Sequence, residues 1–137
     1  MGKNKEEAMS KKLILFTNDE SLSALFADFF SNHPFEVHLV TTPLDNIDFT
    51  NSVSVLDYDT DSKNMSELLS NLVKKSGSSN KVIVASEDCE RRNVTDTAKR
   101  GADRFVVKPI NKTRIKKYIL PYMEYATAQT TETSTAS

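Results

Sequence analysis

Glycine is scarce in this chain. Of its 137 residues, only Gly2, Gly77 and Gly101 are glycine. Neither a GxGxxG dinucleotide loop nor a GxxxxGK[ST] phosphate loop can be written with glycines so far apart, which excludes both nucleotide cradles. Cysteine is scarcer still. Cys89, the single cysteine, cannot close an intramolecular disulfide or build a Cys-rich zinc site, which fits a reducing cytoplasm. Tryptophan is absent. No apolar run approaches the roughly 18–20 residues of a membrane span, and the polar N-terminus is not signal-like, so membrane insertion is not expected. A net charge of −1 argues against a dedicated nucleic-acid binder, though it says nothing of local patches. The length fits one domain with one modest core.

What is present divides the chain into three. Residues 1–11 are polar and charged with nothing to bury, and residues 126–137 are almost all Thr, Ser, Ala, Gln and Glu. Both segments are expected to be disordered, because they cannot offset the entropy of ordering. Between them, in residues 12–125, short apolar runs at Leu13–Phe16, Val37–Val40, Val53–Leu56, Val82–Ala85 and Phe105–Val107 read as strands buried on both faces. Helical spacing separates them. Leu22, Leu25, Phe26, Phe29 and Phe30 form one apolar stripe, and Met65, Leu68, Leu69, Leu72 and Val73 a second, with Asn64 or Ser62 as its cap. Ile115, Tyr118, Ile119, Tyr122 and Met123 form a third behind a cap at Asn111, with Pro121 expected to kink or fray that helix. Asp88–Arg100 is polar and is read as helix mainly because a crossover is needed there. Thr41–Ser52 offers one short helical turn at most. Such alternation implies a parallel sheet with helices on both faces and right-handed crossovers, with the second helix shortened.

In an open parallel sheet, ligands gather beyond the carboxyl ends of the strands. For the flavodoxin-like order 2-1-3-4-5, strands 1, 3, 4 and 5 are successive neighbours about 4.8 Å apart. Asp19, Asp57, Ser86 and Lys108 then line one pocket: two carboxylates, a hydroxyl and an ammonium. Clustered carboxylates suit a hard cation such as Mg²⁺, and a carboxylate can attack phosphorus to give an acyl phosphate. Charge on the transferring oxygens then calls for fixed donors and cations, which Ser86 and Lys108 supply.

At these residues the chain resembles the receiver domain of two-component response regulators, from Lys12 to Tyr125. LILFTNDE is similar to the family's strand and acidic pair, VSVLDYD to its phosphoacceptor strand, VIVAS to its Ser/Thr strand, and GADRFVVKPI to its Lys-Pro segment. The resemblance implies that Asp57 accepts a phosphoryl group from a histidine kinase or phosphotransfer protein. It implies Mg²⁺ (or Mn²⁺) held by Asp19, Asp57 and the Asp59 backbone carbonyl, with Asn18 contributing through a water. Ser86 and Lys108 would contact the phosphoryl oxygens, Phe105 would be the switch aromatic, and the Lys108–Pro109 bond would be cis. Such a domain phosphorylates and dephosphorylates itself rather than acting as a dedicated enzyme. It signals to a downstream protein through the face of the Asp88–Arg100 helix, the fifth strand and the last helix (α4-β5-α5 in the family's count). The chain departs from the family at Asn18, where an Asp is usual, and at Asp61 and Met65, where Pro and Gly often stand. These departures motivate a rival reading, a pseudo-receiver that serves as an interaction module without phosphorylation.

Other features take plainer readings. Glu20 favours the first turn of its helix, Asp61 reads as a loop charge, His33 and His38 as structural, and Cys89 as an inert thiol. Lys99, Arg100, Arg104, Lys108, Lys112, Arg114, Lys116 and Lys117 make the C-terminal part basic. No aromatic stacking platform accompanies them, so a solvated face is favoured over nucleic acid.

Overall fold

The computed structural model describes residues 11–40, 44–59 and 64–124. The readings made for 1–10, Ser62, Asp61, Tyr125 and 126–137 lie outside them. Five strands run in parallel: β1 (Lys12–Phe16), β2 (Glu36–Val40), β3 (Ser52–Asp57), β4 (Lys81–Ser86) and β5 (Arg104–Val107). Their order across the sheet is β2-β1-β3-β4-β5. The connecting helices are α1 (Glu20–Phe30), α2 (Met65–Ser76), α3 (Arg91–Lys99) and α4, residues 112–124. Leu44–Asn46 adds a single 3₁₀ turn where the shortened second helix was expected.

Alternation of side chains along each strand splits the core in two. Leu13, Leu15, Val53, Val55 and Ile83 point to one face and pack with Leu22, Phe26 and Phe30 of α1 and Ile115, Ile119 and Met123 of α4. Ile14, Phe16, Leu56, Val82 and Val84 point to the other and pack with Met65, Leu69 and Leu72 of α2. Each apolar stripe therefore faces the core, with Leu25, Phe29, Leu68, Val73, Tyr118 and Tyr122 half-buried at its margins. A fully buried side chain such as Phe26 contributes about 1.5–3 kcal/mol by leaving water.

Burial on both faces holds for β1, β3 and β4 but not for the two edge strands. In β2, Glu36, His38 and Leu39 are exposed, and in β5 Arg104 is. An edge strand has a neighbour on one side only, and here the helices cover the centre of the sheet. Lys11 corrects another expectation: it is 5% exposed, and its carbonyl accepts the Glu36 N–H at 3.2 Å. Burial, and then the nearby Lys81 charge, lower its ammonium pKa.

Local chemistry sets the element ends. The Asn111 side chain accepts the Arg114 N–H at 2.9 Å, as a cap should. Asn64 takes the N-cap position of α2, where its carbonyl accepts the Leu68 N–H. Ahead of Pro121, α4 widens into a π-helical turn over Ile115–Ile119, and the Leu120 N–H reaches back five residues to the Ile115 carbonyl. A proline ring crowds the carbonyl four residues before it, so the expected irregularity takes this form. Gly101 has φ +109, and a Cβ there would lie 2.6 Å from Cγ1 of Val73, so only glycine fits between α3 and α2.

The entry side of the sheet is fastened by Asn80. Its Oδ1 accepts the Ser52 N–H at 3.1 Å, and its Nδ2 donates to the Ser76 carbonyl at 2.5 Å. One side chain thus ties the start of β3 to the end of α2, just before β4 begins.

Candidate functional site

The site lies at the opposite, exit side of the sheet. Asp57 is the last residue of β3 and pairs in register with Ala85, while Ser86 of β4 pairs with Val107. Phe16 pairs with Leu56, so Thr17 follows on β1 beside Asp57. The Lys108 N–H then donates to the Ser86 carbonyl at 3.0 Å, which fixes where the lysine leaves β5. The Lys108–Pro109 peptide is cis, as expected.

Asp57 is 3% exposed, and a buried carboxylate needs partners. Its Oδ1 accepts the Lys108 ammonium at 2.6 Å and the Asp59 N–H at 3.1 Å. Its Oδ2 accepts the Thr17 hydroxyl at 2.5 Å, and the Thr17 oxygen in turn accepts the Asp19 N–H at 3.0 Å. Lys108 is shared, with Nζ also 3.1 Å from Oδ2 of Asp59. The remaining ligands of Asp59 are the Ser86 hydroxyl, which donates to Oδ1 at 2.7 Å, and the Glu87 N–H, which donates to Oδ2 at 2.9 Å. The Ser86 oxygen accepts the Asp88 N–H at 3.0 Å. The result is one continuous network from Asp19 N–H to Ser86.

Two pKa directions follow. Burial pushes the Asp59 carboxyl up, but donation from Ser86, Glu87 and Lys108 outweighs it and leaves the group below its usual range. Burial likewise pulls Lys108 down, and its contacts with Asp57 and Asp59 outweigh that and hold it above the ordinary lysine value. Asp59 and Lys108 are therefore both ionised near neutrality.

Of the residues expected at the site, Asp57, Ser86 and Lys108 come together, with the Asp59 side chain joining them. Asn18 and Asp19 are exposed at the rim, and Asp19 reaches the network only by its backbone N–H, through Thr17. The Asp19 carboxylate caps α1, its Oδ1 accepting the Ser21 and Leu22 N–H groups at 2.8 and 3.3 Å. Phe105 is half-buried against the core cluster on the α2 side of the sheet. Thr17 and the Glu87 N–H are additional members of the network. A cleft of about 740 Å³ beside it is lined by Asp19, Leu22, Leu25, Glu87, Lys108 and Pro109.

No protein-family profile and no curated protein matches this chain. Solved structures do. It is similar to a CheY-like response regulator receiver domain protein from Methanospirillum hungatei, with 17% identity over 88% of this chain and 98% of that one, TM-score 0.71. A response regulator receiver protein from Pseudoalteromonas atlantica shares 14% identity over 84% of this chain and 98% of its own, TM-score 0.71. Response regulator DrrB of Thermotoga maritima, an OmpR/PhoB homolog, shares 20% over 85% of this chain and 54% of its own, TM-score 0.71. The chain therefore has the fold of response regulator receiver domains, with the five-stranded parallel order 2-1-3-4-5.

The Mg²⁺ expected from the sequence can be set against the donor groups. Among the described residues, no group of three or more His, Cys, Asp or Glu side chains is placed to hold a metal ion. In the network, Asp19 Oδ1 caps α1, and the oxygens of Asp57 and Asp59 accept from Lys108, Thr17, Ser86 and Glu87. Asp19, Asp57 and the Asp59 backbone carbonyl would be the groups to hold Mg²⁺, and they supply the hard oxygen donors such a cation takes.

Proposed function

We propose that the chain is a receiver that accepts a phosphoryl group on Asp57 from a histidine kinase or phosphotransfer protein. The observation that carries this reading is the buried Asp57 carboxylate at the exit end of a central strand, with Lys108 Nζ 2.6 Å away. In the transfer, an Asp57 oxygen bonds to phosphorus while the phosphorus–nitrogen bond of the donor histidine breaks. The electron pair of that bond returns to the imidazole nitrogen. Lys108 neutralises charge on the phosphoryl oxygens, and the Ser86 hydroxyl donates to one of them. Water later cleaves the acyl phosphate, giving inorganic phosphate and the free carboxylate.

The signal leaves through the face of α3, β5 and α4, where Phe105 is the switch aromatic and a downstream protein docks. Several basic groups of this region already have partners within the chain. The Arg104 guanidinium lies 4.9 Å from the Tyr118 ring centre, Arg100 pairs with Asp96 at 2.9 Å, and Lys112 with Asp28 at 2.6 Å. That favours a solvated protein-docking face over nucleic acid. Among the described residues no helix is long and apolar enough to cross a membrane, and the exposed free thiol of Cys89 suits a reducing cytoplasm.

The rival reading, an interaction module without phosphorylation, draws support from Asn18 and Met65, which stand where the family usually has Asp and often Gly. Incubation with acetyl phosphate and Mg²⁺ or Mn²⁺, read by intact mass, separates the two. The receiver reading expects a gain of one phosphoryl mass that is labile to acid and to alkali and is lost in Asp57→Asn. No gain, or a gain that survives Asp57→Asn, refutes it.

A further inference from the structure

The Asp59 carboxylate stands where an arriving anion would bind. A hydroxyl from Ser86, a backbone N–H from Glu87 and an ammonium from Lys108 converge on its two oxygens at 2.7, 2.9 and 3.1 Å. Three donors of three kinds, aimed at one small anion, form the arrangement that stabilises phosphoryl oxygens. Two carboxylates, Asp57 and Asp59, share the single Lys108 ammonium. A dianionic phosphoryl group placed on Asp57 meets the Asp59 charge and finds its donors occupied.

The geometry points to Asp59 as a built-in occupant of the anion cradle, one that a phosphoryl group on Asp57 must displace. Its backbone stays anchored, because its N–H donates to Asp57 Oδ1 at 3.1 Å. Its side chain, 31% exposed, has somewhere to go: an open hollow of about 420 Å³ lies beside it, lined by Tyr58, Ser66, Asp88, Asn93 and Asp96. Residue 59 is thus a gate on the site, and its charge sets how often the cradle is vacant. A ligand's apparent affinity falls with the fraction of molecules that can receive it.

The cradle's role in signalling rests on the Asp57 phosphoacceptor reading, but the cradle can be tested without phosphotransfer. The test titrates inorganic phosphate into the full chain and into Asp59→Ala and Asp59→Asn, following the Glu87 amide resonance. Releasing three charge-assisted, partly solvated hydrogen bonds should tighten phosphate about tenfold in both variants relative to the unaltered chain. Equal responses in all three proteins, including no response in any, overturn the inference. Acetyl phosphate labelling in parallel examines the other reading. If the variants bind phosphate more tightly while no protein acquires a phosphoryl group at Asp57, the gate stands and the phosphoacceptor reading falls. If Asp57 is labelled in all three while their phosphate responses are equal, the acceptor reading stands and the gate falls.

Discussion

Replacing Lys108 with methionine removes the one cation between Asp57 and Asp59 while keeping an unbranched side chain. The Lys108 side chain is 13% exposed and that of Asp57 4%, so the change leaves a carboxylate in a nearly dry position. Asp57 Oδ1 then retains only the Asp59 N–H, and the Asp59 carboxylate faces it with no intervening positive charge. Removing one partner of a buried ion pair costs about 3–5 kcal/mol. The partial exposure of Asp59 admits water, which puts the expected loss near the lower end, about 3 kcal/mol. With a urea slope of about 1.5–2 kcal/mol/M for a domain of this size, the midpoint should fall by about 1.5–2 M at pH 7. Urea melts of Lys108→Met, Asp57→Asn and the double variant complete a cycle. Asparagine carries no charge to strand, so Lys108→Met should cost only about 1 kcal/mol in the Asp57→Asn background, a coupling of about 2 kcal/mol. A single-variant loss below about 1 kcal/mol, or an equal loss in both backgrounds, would reduce the contact to an ordinary surface pair and refute the reasoning.

Three more expectations follow from other parts of the molecule. The Ser54 hydroxyl is buried in β3 with no hydrogen-bond partner among the described residues, so Ser54→Ala should raise stability by about 1 kcal/mol in urea melts. Asp19→Ala should cost about 1 kcal/mol through the lost α1 cap. Asp19→Asn, which keeps the capping oxygen, should be close to neutral, and an equal loss in both would mean that Asp19 acts through its charge. The third concerns acid. Donation from the Thr50 backbone N–H, then the Thr50 side chain and Lys12, lowers the Asp48 pKa from 3.8 to about 2. A depressed carboxylate stabilises the fold fully above its unfolded value and loses that contribution as pH falls through its folded one. The stability difference between the unaltered chain and Asp48→Asn should be constant above pH 5 and shrink as pH falls towards about 2; a difference undiminished at pH 2 refutes the assignment.

Much of this fold is legible in the apolar pattern, because strand and helix periods differ and each buried stripe lies where its spacing put it. Even α3, of which only Thr97 is buried, follows from the need for a crossover between parallel strands. Exposure of β2 and β5 was less legible: an apolar run such as Val37–Val40 reads the same at an edge as at the centre. At the site, the residues that end β3 and β4 and follow β5 converge because parallel register carries them there. The same register signals Thr17, one step past the Phe16–Leu56 pair, once β1 is set beside β3. For the Asp59 side chain, the pattern left a direct role and a plain loop charge equally open. It lies on a turn, where no period governs direction, and the donors it meets were assigned to another anion. Asp19 shows the converse, since a residue between strand and helix can serve either, and here the free N–H groups of α1 take its oxygen.

The Asn80 clasp gives the two ends of the sheet different sensitivities. An amide has no charge to gain or lose, so the end where Asn80 joins β3 to α2 is indifferent to protons, salt and arriving anions at that residue. The far end is joined by Lys108, Asp57 and Asp59, each of which answers to all three. A change of charge at the exit edge therefore leaves the join between β3 and α2 at the entry side as it was.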